Sequence, residues 1–385
     1  MPLSFPSALI RMKRLERSWS QEGLCQGICA VSYLSKIEQG KAEPNADILR
    51  ALLRRLEVEW HEECAPEAGK LTEDWWEAIR SSDPLKEEKL RLAFQEKRSL
   101  YLNGPHMLDL LLLQRLSGCS AEPEDHCNDL SQFENCLSAR QRVWYLLAQR
   151  RFEEAFLLLP NAFTALCCGS IAYHEGSYPL AVERLLQSCS MAAEEGRARV
   201  LLRARALLGN CYSNQGDFET MRRHYQAVER LATDLGDADM LRAIRYNTAA
   251  TQMQLGDYGS ARDTFSSFEN PSALTLHKLA VCEEKLGHRA EALHALERAD
   301  QLLEAGCQEA EYPDSEWIRR MCALVRYRLE HPDYLHDTVY GEALLSLYDG
   351  IKRELSSGFA LFHQPWVEEW YVASRQYKQA YELKK

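Results

Sequence analysis

A short motif centred on glycine recurs in this 385-residue chain from residue 150 onward, and it constrains the fold more than any other feature. The copies are Glu175-Gly176-Ser177-Tyr178, Gln215-Gly216-Asp217-Phe218, Leu255-Gly256-Asp257-Tyr258, the fainter Leu286-Gly287-His288-Arg289 and the degenerate Arg150-Arg151-Phe152. Glycine commonly ends a helix in the left-handed conformation. Each motif therefore predicts the turn between two paired helices.

Residues at fixed distances from these glycines predict how the paired helices cross. The residues seven positions before the glycines are small, those five positions after are mostly small, and those nine positions after are large and apolar. The three sets are Gly169, Gly209, Ala249 and Ala280; Ala181, Met221, Ala261 and Ala292; and Leu185, Tyr225, Phe265 and Leu296. Small residues at close crossings, with bulky ones beside them, resemble the tetratricopeptide repeat. The glycines are 40, 40 and 31 residues apart, so some helices should be longer or shorter than in that repeat.

The N-terminal residues have the pattern of a helix-turn-helix. Ser20 can cap a helix that begins at Gln21, and Glu22 suits the positive end of its dipole. Gly27-Ile28-Cys29 would form the turn, and a second helix would run from about Ala30 to Gln39. In this motif the second helix lies in the DNA major groove.

We expect an all-α protein with a phage-repressor-like helix-turn-helix followed by a tetratricopeptide-type α-solenoid. The expected divisions are a DNA-binding domain at 1–60, a packed helical connector at 61–130, repeats at 131–310, and a C-terminal repeat or cap at 311–385 that could contact a second copy. In this last part, helices are expected at 315–330, 338–356 and about 365–383.

Residues 1–60 hold nine Lys and Arg against seven Asp and Glu, a net charge of +2, whereas the remainder holds 37 against 50, a net charge of −13. This imbalance suits a head that approaches phosphates and a body that does not.

Composition argues against several other classes of protein. Because the chain has no secretory signal and no apolar run of membrane length, its thirteen cysteines are interpreted as buried free thiols of a cytoplasmic protein. A zinc hypothesis would use Cys119, His126, Cys127 and Cys136, but these lack the close CxxC pairs of common zinc sites, and we expect no metal and no cofactor. We expect no enzyme, since the histidines are scattered and the chain has no Gly-rich phosphate loop, nucleophile elbow or HExxH motif.

The head and the repeats together resemble the peptide-responsive transcription regulators of Gram-positive bacteria, the Rgg/PlcR/PrgX group known as RRNPP. The resemblance rests on Ser20-Gln21-Glu22, Gly27-Ile28-Cys29 and Ser35-Lys36-Ile37-Glu38, joined to a helical-repeat body. It implies a homodimer that binds a palindromic double-stranded operator. It also implies that a short signalling peptide lies in the repeat groove and resets the geometry of the two heads.

The candidate DNA contacts lie on the second helix of the motif and beside it. They are Gln21, Ala30, Val31, Ser32, Tyr33, Lys36 and Lys41. Apolar side chains could press against a thymine methyl group, hydroxyl groups could bond bases or phosphates, and Lys36 could reach a guanine or a phosphate. Leu34 and Ile37 should pack in the core of the head. Tyr33 and Ser35 could alternatively serve only to pack or cap.

One face of the first helix in each repeat pair, at positions thirteen, nine, six and two before the glycine, is predicted to line a groove. The candidate peptide-binding residues on or beside this face are Arg203, Asn210, Asn214, Tyr246, Asn247, His277 and Lys278. An extended peptide has unpaired N–H and C=O groups, and Asn can donate to one and accept from the other. Asn210 and Asn247 are therefore the leading peptide clamps, with Arg203 and Lys278 as carboxylate partners. The alternative is that these are ordinary solvated residues.

Two classes of function fit the sequence. The first is a DNA-binding regulator gated by a peptide, with a variant that senses a small molecule or no ligand. The second is a repeat adaptor that docks another protein and has a weak DNA-binding head. We prefer the first, although the acidic body gives the second some weight, as does Gly23 within a helix, where glycine costs up to ~1 kcal/mol of helix stability.

Overall fold

The computed structural model describes residues 5–117, 130, 131, 134, 137–305, 313–355 and 357–383, and within these residues all regular secondary structure is helical. The chain divides into two compact units: unit 1 comprises residues 1–168 and 187–201, and unit 2 comprises residues 169–186 and 202–385. The all-α fold expected from the sequence is confirmed. The finer division into four domains stays a prediction.

Unit 1 contains the head and the connector. Its helices are α1 (Phe5–Glu16), α2 (Gln21–Cys25), α3 (Val31–Glu38), α4 (Ala46–Arg55), α5 (Ala65–Arg80), α6 (Pro84–Glu96), α7 (Arg98–Leu102), α8 (Met107–Leu116), α9 (Ala139–Ala148) and α10 (Phe152–Leu158). One hydrophobic core contains Leu9 and Leu34 of the head together with Trp75 and Trp144. The connector helices thus pack with the head.

Three helices contribute residues to both units: α11 (Ala162–His174), α12 (Tyr178–Glu194) and α13 (Ala198–Asn214). The helices wholly in unit 2 are α14 (Phe218–Leu235), α15 (Ala238–Gln254), α16 (Tyr258–Ser266), α17 (Ala273–Lys285), α18 (Arg289–Ala305), α19 (Ser315–Glu330), α20 (Thr338–Glu354), α21 (Ser357–Ala373) and α22 (Tyr377–Glu382). From α14 to α18 each helix packs on the next in sequence. Short turns make such neighbours antiparallel, as in helical repeats.

The repeated glycines are the turns that the motif predicts. Each has a left-handed φ, and the values are +76° for Gly176, +79° for Gly216, +79° for Gly256 and +82° for Gly287. In the degenerate copy, Arg150 adopts the same region with a φ of +60°. The next helix begins with a side-chain cap, since Asp217 accepts a hydrogen bond from the Thr220 N–H at 3.1 Å. The sequence-based turn assignment is confirmed.

The small residues before the turns permit the close crossings that their spacing predicts. A Cβ atom added to Gly169 would lie 2.6 Å from Cγ of Leu185, and one added to Gly209 would overlap the ring of Tyr225. In both cases the small residue meets the bulky residue sixteen positions later. This pairing was expected from the repeat pattern.

The last helices differ from the expectation for residues 365–383. Helix α21 begins earlier, at Ser357, and contains Pro365 in its interior. The chain then turns at Arg375, whose φ is +58°, before α22. Proline removes a backbone donor and usually marks a helix start, which is why the sequence pattern placed the boundary too late.

Candidate functional site

The head presents helix α3 with one apolar side and one solvent-facing side. Leu34 and Ile37 of α3 have no exposed surface, as their spacing predicts. They share the core with Leu24 of α2 and Leu52 of α4, which are also fully buried. Because α1 and α2 pack against α3 on its apolar side, its other side is held in a defined orientation.

Most of the candidate DNA contacts lie on the solvent side of the head. The exposed ones are Ala30, Val31, Ser32, Lys36 and Lys41. Val31, the first residue of α3, leaves 42% of its surface in water. The N-terminal residues of a recognition helix are those nearest the bases. An apolar side chain at this position could meet a thymine methyl group.

The other two candidate DNA contacts are held by bonds within the head. Gln21 donates through Nε2 to Oε2 of Glu38 at 2.8 Å. The Tyr33 hydroxyl donates to the backbone carbonyl of Glu43 at 3.0 Å. In this arrangement the Tyr33 oxygen can still accept a hydrogen bond but has no proton left for a phosphate. This supports the alternative that Tyr33 serves only to pack within the head. Gln21 still has a second N–H that could donate to DNA.

A buried ion pair that the sequence did not reveal supports this surface. Arg14 of α1 donates through Nε to Oε1 of Glu38 at 2.6 Å, and its Nη2 donates to Oε2 at 2.8 Å. Arg14 also donates to the backbone carbonyl of Trp19 at 2.7 Å. The two side chains are 24 residues apart and of ordinary charged types, so no local pattern indicates the pair. It joins α1 to the end of α3.

The body contains a cavity of about 160 Å³ within unit 2. It is lined by Tyr173, Asn210, Ser213, Asn214, Tyr225, Tyr246, Asn247, Ala250, Thr251, Gln254, Lys278, Gly358, Phe359 and Phe362. Five of the seven candidate peptide-binding residues are among them. The structure therefore brings these five side chains to one cavity, and their role in peptide binding stays a prediction.

Asn210 and Asn247 form the centre of a hydrogen-bonded network at this cavity. Oδ1 of Asn210 accepts from the Tyr225 hydroxyl at 2.6 Å and from Nδ2 of Asn247 at 3.1 Å. Nearby, Asn214 donates to the Tyr178 hydroxyl at 3.0 Å. Burial raises the pKa of Tyr225 and raises the pKa of Tyr173 to about 12. Both phenols therefore remain protonated donors at neutral pH.

The remaining two candidates, Arg203 and His277, do not line the cavity. Arg203 is exposed to solvent. His277 has no exposed surface and packs in the core of unit 2, with its ring centroid 6.5 Å from that of His363. Helical spacing placed His277 beside the groove, but α17 is buried on almost every side. A ligand in the cavity would not reach it in this structure.

Several cavity residues were missed by the sequence reasoning. Tyr225 was interpreted only as a packing residue, yet its hydroxyl bonds Asn210. Phe359 and Phe362 come from α21, more than 70 residues after Lys278, and no periodic signal connects these segments. They close one side of the cavity with aromatic surface.

Comparisons with known proteins agree with this two-part architecture. Residues 10–62 match the family model HTH_3, a helix-turn-helix. A Rap protein complexed with Competence and Sporulation Factor aligns with a TM-score of 0.63 and 15% identity, covering 83% of this chain and 96% of that chain. The apo form of the quorum sensor NprR from B. thuringiensis aligns with a TM-score of 0.54 and 16% identity, covering 83% and 99%. NprR in complex with its cognate peptide NprX aligns with a TM-score of 0.54 and 15% identity, covering 82% and 99%.

This chain has the fold of the RRNPP regulators. The resemblance found in the sequence is confirmed, because a helix-turn-helix head precedes a helical body of the kind seen in Rap and NprR. At these identities the likeness concerns the fold. A search of curated protein sequences found no match.

Two further features bear on membranes and metals, and both concern the described residues. There, no helix combines the length and the apolar character that crossing a membrane requires. The same residues hold no cluster of three or more His, Cys, Asp or Glu side chains arranged for a metal. Cys119, His126, Cys127 and Cys136, considered above as zinc ligands, lie outside the described residues.

Proposed function

We propose that this chain is a transcription regulator in which a short signalling peptide binds the body and controls operator binding by the head. The helix-turn-helix is a DNA-binding domain, and its α3 leaves Val31, Ser32 and Lys36 exposed. The observation that carries the peptide part of the proposal is the pair Asn210 and Asn247 at the wall of the cavity.

The bonding of this pair suits a peptide backbone. Asn210 accepts two hydrogen bonds through Oδ1. What its side chain can offer to a ligand carbonyl is therefore its amide N–H group. No described residue donates to Oδ1 of Asn247 in this structure, so that oxygen can accept from a ligand N–H. A main chain offers such donors and acceptors at every residue. A ligand without hydrogen-bond donors and acceptors would leave these side chains unmatched.

The proposal includes a cytoplasmic homodimer and a palindromic operator. Helix-turn-helix dimers bind two half-sites about one helical turn apart, so the symmetry of the protein is mirrored in the DNA. The small net charge of the head also favours two heads acting together, since each phosphate contact contributes modestly and additively to affinity.

Binding of the purified chain to fragmented genomic DNA tests the DNA part. We expect enrichment of discrete palindromic sites, and Lys36→Ala should weaken binding to them by about tenfold, in line with the 1–3 kcal/mol that a base contact contributes. Lys89→Ala, an exposed lysine of α6 outside the head, is the matched control and should leave binding unchanged. Absence of enriched sites would favour the adaptor alternative and contradict the proposal.

A reporter placed behind an enriched site tests the peptide part. Synthetic peptides from short secreted reading frames of the host are added to cells that carry the wild-type chain or the double variant Asn210→Ala and Asn247→Ala. We expect a response in the wild type and its loss in the double variant, with the protein still folded and bound to DNA. An unchanged response in the double variant would show that these residues are not the peptide clamps.

A further inference from the structure

Lys278 is a buried cation without an acidic partner. It retains only 4% of its surface, and no described residue gives it an ion pair or a hydrogen bond. Its Nζ lies 2.8 Å from the centroid of the Phe362 ring, an aromatic contact that accounts for part of the missing solvation. Buried lysines are rare unless they are paired, so the missing partner calls for an explanation.

The surroundings of Lys278 supply no compensating negative charge. Arg328 of α19 is also buried, but it is paired with Glu284 by hydrogen bonds of 2.6 Å and 2.5 Å. His363 bonds through Nδ1 to the Phe359 carbonyl at 2.8 Å, so Nδ1 carries the proton and Nε2 has none. Nε2 of His363 and both ring nitrogens of His277 are buried without a hydrogen-bond partner.

The pKa values of Lys278, His277 and His363 are all lowered, as expected for basic groups that are buried together. Burial lowers the pKa of Lys278 well below its usual range. Burial, followed by Lys278, lowers the pKa of His363 to about 3 and that of His277 well below its usual value. An anion placed beside Lys278 would reverse the first of these shifts, because an opposite charge favours the ammonium form.

The cavity gives Lys278 a place to meet such an anion. Lys278 is the one charged residue among the described residues that line it, and none of the others is a carboxylate. The amides of Asn210 and Asn247 line the same cavity. A ligand can therefore hold its backbone against the amides and bring a terminal or side-chain acid to the lysine.

We propose that Lys278 binds a carboxylate of the ligand and that this pairing selects acidic ligands for the cavity. The inference rests on the proposed peptide function and names the chemistry that this site requires. Two sources share that chemistry, the C-terminal carboxylate of a peptide and an Asp or Glu side chain. An ammonium–carboxylate hydrogen bond is among the stronger ones in proteins, and exclusion of water strengthens it further.

Three pools of synthetic hexapeptides, incubated with the purified full-length chain, test the proposal. The first pool has a free C-terminal carboxylate and lacks Asp and Glu. The second has the same sequences as C-terminal amides, and the third has amide termini with one Asp or Glu at each position in turn. We expect the first or the third pool to be retained at least about tenfold better than the second, which corresponds to about 1.4 kcal/mol.

Two variants separate a specific pairing from a general charge effect. Lys278→Met keeps the length of the side chain and removes its charge, so the preference for acidic pools should disappear. Lys89→Met removes an exposed charge from unit 1, outside the unit that holds the cavity, and should leave the preference intact. If only the first pool is retained, the partner of Lys278 is the C-terminal carboxylate. If only the third is retained, the partner is an Asp or Glu side chain.

The remaining outcomes distinguish the two proposals. Equal retention of all pools by the wild type would leave peptide binding standing and show the carboxylate proposal to be wrong. If no pool is retained, the peptide part of the proposed function is wrong, and sodium propionate then decides the site. A propionate-dependent rise in the unfolding temperature of the wild type, absent in Lys278→Met, would support a carboxylate site for another ligand. No rise would overturn it.

Discussion

The head and the body each bury a cation, and they treat it differently. Arg14 in the head is 8% exposed and meets both carboxylate oxygens of Glu38. Lys278 in the body is 4% exposed, contacts the ring of Phe362 and lines the cavity. The neighbouring His277 and His363 are neutral. The two cations are thus buried to a similar extent, but only Arg14 has an acidic partner.

This difference distinguishes a charge that holds the fold together, that of Arg14, from one that a ligand can pair with, that of Lys278. A satisfied buried pair holds two elements in a fixed relation, and in the head these are α1 and the end of α3. An unsatisfied buried cation raises the free energy of the folded protein until a partner arrives. Such a group costs stability, and ligand binding is the simplest way in which that cost can be recovered.

The largest effect is expected in the head. Glu38→Ala leaves the Arg14 guanidinium buried without its acid, which costs about 3–5 kcal/mol when one member of a buried pair is removed. The unfolding free energy from urea titration should fall by that amount. Glu43→Ala, which removes an exposed acid from the same head, should change it by less than about 0.5 kcal/mol. Equal effects of the two variants would show that the Arg14 pair is not structural.

A smaller effect is expected in the body when the pH falls. Because the pKa of His363 is lowered to about 3, the unfolded chain binds a proton near pH 6.5 that the folded chain does not. Stability from this group is thus complete above pH 6.5 and is lost as the pH falls towards 3. His363→Phe should remove this loss, so the variant should gain about 2 kcal/mol relative to wild type between pH 7 and pH 5. Comparing the two pH values cancels any constant packing effect, and identical pH profiles would contradict the assignment.

The sequence predicted those parts of the molecule that depend on local spacing. The turn at Gly216, the crossing of Gly209 with Tyr225, and the cavity position of Asn210 all follow from distances along one repeat. Helical periodicity does not show which later elements cover a helix. Lys278 was expected on a groove and lines the cavity in the structure, but its cover, Phe362, comes from α21.

The same limit applies to two residues whose surroundings the sequence did not reveal. His277 precedes Lys278 on α17, and a surface position for it assumes that one side of this helix faces solvent. Helix α17 instead contacts α15, α16, α18 and α19, so both residues are buried. Arg14 is one of several basic residues on α1, and only the distant Glu38 gives it a role.

The smallest expected effect, with the opposite sign to that of Glu38→Ala, is the stability change on replacing Lys278 with Met. Removing an unpaired buried cation and keeping its apolar length should leave the unfolding free energy unchanged or raise it by about 1 kcal/mol. The pH dependence gives the sign independently. Since the pKa of Lys278 is lowered in the folded chain, the unfolded chain binds more protons at neutral pH, and wild-type stability rises with pH towards 10.5.

The advantage of Lys278→Met over wild type should therefore shrink between pH 7 and pH 10, whereas Lys285→Met should show no such trend, because Lys285 is exposed. Chemical denaturation of the three proteins at both pH values measures the trend. A large destabilisation by Lys278→Met, similar to that by Glu38→Ala, would mean that the ammonium is already satisfied in the folded protein. The contrast between the two buried cations, and the carboxylate site inferred from it, would then both be wrong.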